Sequence, residues 1–271
     1  MAQSINSIVA QAQQGDAAAL EQLVQHVQDR VHRLALRMVA DPSLAQDATQ
    51  EILIRMVTKL STFKGDSKFE TWVYRVATNY LLTAKKVMAR DPGLTFEFFA
   101  QDLLDGLADD SAAAPEDHVM LNELRVRCTM AMLLCLDANH RAAYVLGEIL
   151  EMDHREAANA LDVPSATYRQ RLSRARSKVL TFTAKSCGLA SSDAPCSCRR
   201  RLPAALASGR IGDKPSVLLE DAPSYLAARQ IAAQTEAALV AQKLQQATGP
   251  LAVADDLAAK VLQIVNPPDY T

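Results

Sequence analysis

The chain has 271 residues, of which 49% are hydrophobic and 5% aromatic, and its formal net charge is −2 at pH 7. This length suits two small domains and a tail, while the near-zero total charge indicates no class of partner by itself. No stretch approaches the ~20 consecutive apolar residues of a membrane span, and the N-terminus lacks the basic-then-apolar order of a signal peptide. We therefore expect a cytoplasmic protein with no membrane insertion, whose five cysteines are reduced thiols or metal ligands.

Abundant alanine and few aromatic residues favour an all-α fold. The first predicted helix begins after Asp16, a good N-cap, and carries apolar residues at helical spacing as far as Met38. The Asp-Pro-Ser sequence at 41–43 ends this helix, and a second helix follows over residues 44–60.

A third helix is predicted after a short loop. Ser67 is followed three residues later by Glu70, which is the spacing of a capping box at a helix start. The apolar residues after it also recur at helical spacing. Three helices with interlocking apolar stripes predict a compact helical domain over residues 10–90.

One face of the second helix carries the polar residues Asp47, Gln50 and Glu51 together with Ile54. A row of carboxylates with one aliphatic side chain suits docking on a basic helical partner. The same row equally suits a face that only contacts solvent.

Aromatic and cationic residues alternate along the third helix and just beyond it. Single-stranded nucleic acid is bound by this combination, because bases stack on rings and phosphates attract cations. Trp72 also fits the apolar stripe of the helix, so burial in the core is an alternative for this residue. The polar candidates are Arg75, Asn79, Lys85 and Lys86.

The charges are distributed unevenly along the rest of the chain. Residues 91–124 contain no lysine or arginine, whereas residues 166–201 are strongly basic. The sequence therefore predicts an acidic linker over residues 91–117 and a basic domain over residues 118–184, as expected for a chain that contacts nucleic acid locally.

The basic domain contains the pattern of a helix-turn-helix. A short helix at 154–161 and a turn at 162–164 precede a basic helix that Ser165 caps and that extends to about residue 180. The turn has no glycine, but Asp162 tolerates a left-handed conformation. Residues early in such a helix contact base edges and later ones contact phosphates, although a solvated basic helix is the alternative. The base-contact candidates are Thr167, Arg169, Gln170 and Arg171, and the phosphate candidates are Arg174, Arg176 and Lys178.

The tail, residues 185–271, begins with a cysteine cluster and continues into alanine-rich helical patterns at 224–247 and 254–265. Cys187, Cys196 and Cys198 suit zinc, copper or a redox switch, and unligated thiols are the alternative. Three thiolates leave a tetrahedral site one ligand short, or form a trigonal site without a fourth ligand. The fourth candidates are Cys128, Cys135 and His140, although the two cysteines lie on an apolar helix and suit burial in the core.

Three sequence blocks carry a family resemblance. They are DATQE at 47–51, FETWVYRVATN at 69–79 with Phe63 before it, and TYRQRLSRAR at 167–176. In this order and separation they resemble the extracytoplasmic-function (ECF) group of bacterial sigma factors over about residues 10–185. One departure is Tyr168-Arg169 where a valine-lysine pair is common, so the promoter sequence does not carry over from relatives.

The resemblance implies a fold, partners and residue roles. The domain at 10–90 matches sigma region 2, the domain at 118–184 matches the region 4 helix-turn-helix, and the acidic linker matches a segment that threads through polymerase channels. The implied partners are core RNA polymerase and promoter DNA, and an anti-sigma factor is a further partner to test for. The implied polymerase contacts are Asp47, Gln50, Glu51 and Ile54. The implied DNA contacts in region 2 are Lys64, Gly65, Asp66 and Ser67, which capture a flipped base, and Trp72, Arg75, Asn79, Lys85 and Lys86, which melt the upstream element. Those in region 4 are Ser165, Thr167, Arg169, Gln170, Arg171, Arg174 and Arg176.

The histidines show no nucleophile or paired-carboxylate arrangement, so the sequence predicts a protein that is not an enzyme and requires no cofactor. Cysteine-bearing tails in this sigma group resemble those of relatives whose activity responds to metals, which favours metal or redox modulation through the tail. The alternative is a metal- or redox-responsive helix-turn-helix regulator that does not join polymerase.

Overall fold

The computed structural model describes residues 4–109, 118–212, 219–220, 222–249, 253 and 256–265. The end of the predicted linker, residues 110–117, and parts of the predicted tail lie outside the described residues. Contacts divide the chain into two compact units. The first contains Met1–Asp91, Met152–Arg169 and Pro250–Thr271, and the second contains Pro92–Glu151 and Gln170–Gly249.

The described residues form α-helices joined by short turns. In chain order these are α1 (Ile5–Gln13), α2 (Ala17–Val39), α3 (Pro42–Thr58), α4 (Phe69–Thr83), α5 (Lys85–Met88), α6 (Phe96–Leu104), α7 (His118–Leu134), α8 (Ala138–Tyr144), α9 (His154–Ala160), α10 (Ser165–Ser186), α11 (Cys198–Ala207), α12 (Tyr225–Ala233), α13 (Val240–Ala247) and α14 (Leu257–Val265).

Side-chain caps set the starts of α2 and α3. The Asp16 carboxylate accepts a hydrogen bond from the Ala19 amide at 3.0 Å, which confirms the predicted N-cap of α2. Asp41 caps α3 through the Leu44 amide at 2.7 Å. Pro42, predicted as a helix breaker, is instead the first residue of α3, because a first-turn proline lacks only an amide hydrogen that the helix does not use.

The predicted capping box of α4 is wrong. Lys68 is the N-cap residue and makes no side-chain cap bond, while the Ser67 hydroxyl donates to the Lys68 carbonyl. Glu70 is turned towards α2, where its carboxylate lies 2.9 Å from Nε2 of His26. The Glu70 carboxylate therefore interacts with a residue distant in the sequence and not with the backbone amide that a capping box would use.

In the first unit, α2, α3 and α4 pack around a core in which Leu23, Leu34, Ile52, Leu53 and Phe69 are almost fully buried. Burying each such side chain stabilises the fold by about 1.5–3 kcal/mol. Helix α9 packs on α4, and α14 packs on α2 and α3 through its own buried face.

A buried polar contact crosses this core. Nδ1 of His32 on α2 lies 3.0 Å from the Thr49 hydroxyl on α3, and that hydroxyl donates to the Ala45 carbonyl at 2.7 Å. Burial lowers the pKa of His32, and Arg37 lowers it further, while Asp29 opposes them. The folded bundle therefore favours the neutral imidazole.

In the second unit, tail helices pack against α7. A cluster of buried residues joins Leu121 and Leu124 of α7 to Leu202, Ile211 and Tyr225 of the tail. Gln245 of α13 donates to the Thr129 carbonyl at 2.9 Å and accepts from the Tyr144 hydroxyl at 3.2 Å. The tail helices predicted at 224–247 and 254–265 are present, with a break between α12 and α13.

The acidic linker contains a helix, α6, which was not predicted from the sequence. The Thr95 hydroxyl caps it through the Phe98 amide at 3.1 Å. Phe96 and Phe99 of α6 lie against the Phe182 ring of α10, with ring centroids 5.1 and 5.3 Å apart. Aromatic packing therefore orders this part of the linker.

We predict that the bundle loses stability as the pH falls through His32 titration. Because the folded pKa is lowered below the ordinary 6.5, the unfolded chain takes up the proton first. This contribution is fully present above pH 6.5 and is lost below it, with a slope of up to about 1.4 kcal/mol per pH unit. Urea unfolding between pH 7.5 and 5 measures the slope. His32→Asn should reduce the slope, and an unchanged slope would contradict the prediction.

Candidate nucleic-acid interface

The predicted row on α3 lies on the solvent side of the bundle. Asp47 and Glu51 are exposed and Gln50 and Ile54 are partly exposed, whereas the opposite face of α3 is buried. Lys86 on α5 pairs with Asp47, its Nζ lying 2.6 Å from Oδ2. Both side chains are more than half exposed, so the pair is worth about 0–1 kcal/mol and opens easily.

A groove adjoins the predicted base-capture loop. The groove has a volume of about 560 Å³ and is lined by Phe63, Lys64, Gly65 and Ser67 on one side and by residues of α1 on the other. Gly65 has a φ of +82°, which a residue with a side chain rarely adopts. Nε2 of Gln13 donates to the carbonyls of Leu60 and Phe63 at 3.0 and 2.9 Å, and so fixes the start of the loop.

Helix α1 was not predicted from the sequence, although it forms one wall of this groove. Its N-cap is Ser4, whose side chain accepts from the Ser7 amide. The signal for the helix was present as Ile5, Ile8, Val9 and Ala12, which follow helical spacing.

Trp72 belongs to a cluster of three rings beside the groove. Its ring centroid lies 5.6 Å from that of Phe63 and 5.9 Å from that of Phe69, against which it stacks. Trp72 is only partly buried, while Phe69 is in the core. The two alternatives for Trp72, core packing and base stacking, are therefore compatible.

The cationic side of α4 is in contact with α9. Arg75 pairs with the Asp162 carboxylate, and Lys68 Nζ lies 2.5 Å from Glu156 Oε1, a hydrogen bond that raises the Lys68 pKa. The Thr78 hydroxyl donates to the Ala160 carbonyl at 2.6 Å. Lys68 and Thr78 were not among the predicted site residues, because neither belongs to the row of rings and cations. Asn79, Lys85 and Lys86 are exposed.

The helix-turn-helix has the predicted form. Asp162 has a φ of +53°, which confirms the left-handed turn without glycine. The predicted inward residues of α10, namely Tyr168, Leu172, Ala175 and Val179, are all buried. The helix begins at Ser165 itself and continues to Ser186, beyond the predicted end near residue 180.

The outward residues of α10 differ in what they contact. Arg169, Gln170 and Arg174 are exposed, and Ser165, Thr167 and Arg171 are partly exposed. Arg176 forms an ion pair with Glu148, with its Nε donating to Oε1 at 3.0 Å. The Glu148 side chain is 6% exposed, so Arg176 balances a buried carboxylate in addition to any contact with phosphate.

Four cysteines line one small cavity in the second unit. They are Cys128, Cys187, Cys196 and Cys198. Burial raises the pKa of the Cys196 thiol to about 11 and that of Cys198 to about 12. Of the three predicted candidates for a fourth ligand, Cys128 is the one in this cavity, since Cys135 donates to the Ala131 carbonyl and His140 pairs with Asp137.

The chain therefore has two compact helical units, and the first carries an exposed acidic face on α3. The family model Sigma-70 region 2 matches residues 23–88, and Sigma-70, region 4 matches residues 127–179. Both matches fall within the predicted domains.

Curated relatives extend this match. The ECF RNA polymerase sigma factor SigW of Bacillus subtilis is 30% identical over 188 residues, which cover 65% of this chain and 95% of the relative. The ECF RNA polymerase sigma-E factor of Escherichia coli K12 is 32% identical over 177 residues, covering 64% and 90%. A solved structure of CnrH in complex with the cytosolic domain of CnrY is 22% identical, with a TM-score of 0.44, and covers 63% of this chain and 91% of that one.

The chain belongs to the ECF family of RNA polymerase sigma factors. It is a transcription initiation factor that directs RNA polymerase to promoters. Among the residues that the structure describes, no helix has the length and apolar character needed to cross a membrane.

We predict that Arg176 stabilises the fold, whereas Arg174 contributes to DNA binding. Arg176→Ala leaves the buried Glu148 carboxylate without its ion-pair partner and should cost about 1–3 kcal/mol of folding free energy, measured by urea unfolding. Arg174→Ala, at an exposed position of the same helix, should leave stability unchanged. It should instead weaken binding to duplex DNA. The dependence of that binding on salt concentration should fall by the amount expected for about one lost phosphate contact. Equal stability losses in the two variants would contradict this assignment.

Proposed function

We propose that α3 docks core RNA polymerase while the loop at 64–67, α4 and α5 open and hold the non-template strand of the upstream promoter element. Helix α10 reads the more distant element as duplex. The observation that carries this proposal is the division of α3 into a buried apolar face and an exposed carboxylate face.

The acidic face fits a basic helical surface of the polymerase. Asp47 and Glu51 are one helical turn apart and exposed, and the partly exposed Gln50 and Ile54 adjoin them. The ion pair between Asp47 and Lys86 is exposed to solvent and weak enough for a stronger cationic partner to replace it.

The groove beside the loop suits a base removed from the stack. Its volume of about 560 Å³ exceeds the size of a single base, and the Trp72 ring lies in the cluster next to it. Lys64 at the rim supplies a cation for the adjoining phosphate. These features support capture of a flipped base by residues 64–67.

The proposal includes the site of action and the regulation. The protein acts in the cytoplasm, catalyses no covalent chemistry, and is open to inhibition by an anti-sigma factor. Its activity is modulated by metal or redox state through Cys187, Cys196 and Cys198. The rival function is a helix-turn-helix regulator that binds DNA without polymerase, which the four cysteines in one cavity would suit equally well.

Contact between α9 and α4 has a consequence for promoter binding. Glu156 and Asp162 pair with Lys68 and Arg75, so these carboxylates occupy positions that phosphates would otherwise take. We infer that the promoter strand must replace this internal contact. The free chain would then bind single-stranded DNA weakly until polymerase or promoter separates α9 from α4.

We predict that Asp47→Ala with Glu51→Ala lowers affinity for core polymerase by about tenfold or more, because interface charges are lost. Fluorescence anisotropy with labelled protein measures binding, and run-off transcription measures the outcome. Gln46→Ala, an exposed change on the same helix, is the matched control. Unchanged polymerase binding in the double variant, with duplex binding retained, would favour the rival regulator.

We predict that Glu156→Gln with Asp162→Asn strengthens binding of a single-stranded promoter oligonucleotide by about two- to tenfold, the equivalent of two exposed ion pairs. Asparagine tolerates the left-handed turn, so the helix-turn-helix should persist. Glu151→Gln, which leaves both of these ion pairs in place, is the control. Weaker or equal oligonucleotide binding by the double variant would refute the internal competition.

A further inference from the structure

The cysteine cavity brings together segments that are far apart in the sequence. Cys128 comes from α7, Cys187 follows α10, and Cys198 begins α11. Cys187 and Cys196 face each other across an isolated parallel β-bridge, where the Gly188 amide donates to the Cys196 carbonyl at 2.8 Å. A Cβ at position 188 would lie 2.3 Å from that carbonyl oxygen, so only glycine permits this approach.

The backbone after Cys187 forms a tight turn. The amides of Ala190 and Ser191 donate to the Cys187 carbonyl at 2.9 and 3.0 Å. This turn and the bridge to Cys196 fix the position of Cys187 in the wall of a largely apolar cavity.

Arg125 provides a second and independent observation. It is 1% exposed and lines the same cavity. Its Nε donates to Asn122 Oδ1 at 2.9 Å and its Nη2 to the Pro223 carbonyl at 3.0 Å, and both acceptors are neutral. Within the described part of the chain, the buried Nη1 has no hydrogen-bond acceptor. A buried guanidinium without an anion is costly, and a negative group in the cavity would offset that cost.

The other arginine that lines the cavity, Arg201, has a carboxylate partner. Arg201 is 4% exposed, and its guanidinium donates to the Asp105 carbonyl and to the Asp102 carboxylate at 3.2 Å. Arg210 pairs with the same carboxylate. Arg201 and Arg210 thus share one carboxylate, whereas the two acceptors of Arg125 carry no charge.

We propose that Cys128, Cys187, Cys196 and Cys198 bind one zinc ion, with Arg125 balancing the negative charge of the site. The cavity, of about 40 Å³, accommodates an ion and excludes an organic ligand. Four thiols release four protons and give a tetrahedral Zn(S-Cys)₄ centre of charge −2, which Arg125 reduces to −1. A disulfide between Cys187 and Cys196 would be neutral and would leave Arg125 unbalanced.

Closure of the site requires movement of the side chains. Among the residues that the structure describes, no three His, Cys, Asp or Glu side chains already stand at the spacing of metal ligands. Zinc would draw the four sulfurs inward and fasten α7 to the end of α10 and the start of α11. This site rests on the proposed modulation through the tail. It adds Cys128, which lies outside the tail, as the fourth ligand, and it specifies metal binding rather than redox chemistry.

The test is metal binding by the purified full chain, prepared under reducing conditions and without polymerase. We expect one zinc per chain by elemental analysis, and tetrahedral thiolate–cobalt absorption bands when Co²⁺ replaces zinc. Cys128→Ser should weaken zinc binding by about tenfold or more, whereas Cys135→Ser, a change on the segment following the same helix but outside the cavity, should not. Zinc affinity should also rise with pH, because the thiols must lose protons.

Arg125 has its own variants. Arg125→Gln should weaken zinc binding while Arg125→Lys retains most of it, and circular dichroism verifies that each variant stays helical. Native zinc affinity in Cys128→Ser would overturn the proposal. So would binding of Cu⁺ but not Zn²⁺, or a Cys187–Cys196 disulfide that zinc does not prevent. Because run-off transcription is measured separately, failure of the zinc site and failure of the sigma function are distinguishable.

Discussion

The hydrogen bond between His32 and Thr49 constrains how α3 lies on α2, and the exposed carboxylate face of α3 depends on it. A helix can rotate about its axis, and each residue step turns the face by about 100°. The buried pair, with the core residues Ile52 and Leu53 beside it, holds one rotation. In that rotation Asp47 and Glu51 are directed to solvent. A polar contact in the core thereby determines which charges the outside presents.

The same bundle shows why local patterns succeeded in some places and failed in others. The Asp16 cap, the left-handed Asp162 and the buried face of α10 were predicted correctly, because backbone sterics and helical spacing act over a few residues. The capping role of Glu70 was wrong because His26, 44 residues away, binds the carboxylate. Pairing of Arg75 with Asp162 spans 87 residues, and no short-range rule links those two positions.

In the cavity of the second unit, too, some residues of the site were predictable from the sequence and others were not. Spacing identified Cys187, Cys196 and Cys198 as a group, but left three candidates for a fourth member. Only folding brings Cys128 beside them, and only folding reveals Arg125 as a buried cation among neutral acceptors. From the sequence alone, an arginine on an apolar helix is expected to be exposed. The charge balance of this cavity therefore could not be predicted without the structure.

Asp162 combines two properties that usually belong to different residues. Glycine would adopt the left-handed turn with less strain, but it has no carboxylate to offer Arg75. Asparagine would keep the turn and lose the charge. A relative with glycine at this position would therefore form the same helix-turn-helix yet lack one ionic link between α4 and the turn. Variation at a single turn residue would thus change how firmly α4 is linked to the turn, without altering the residues of α4 or α10.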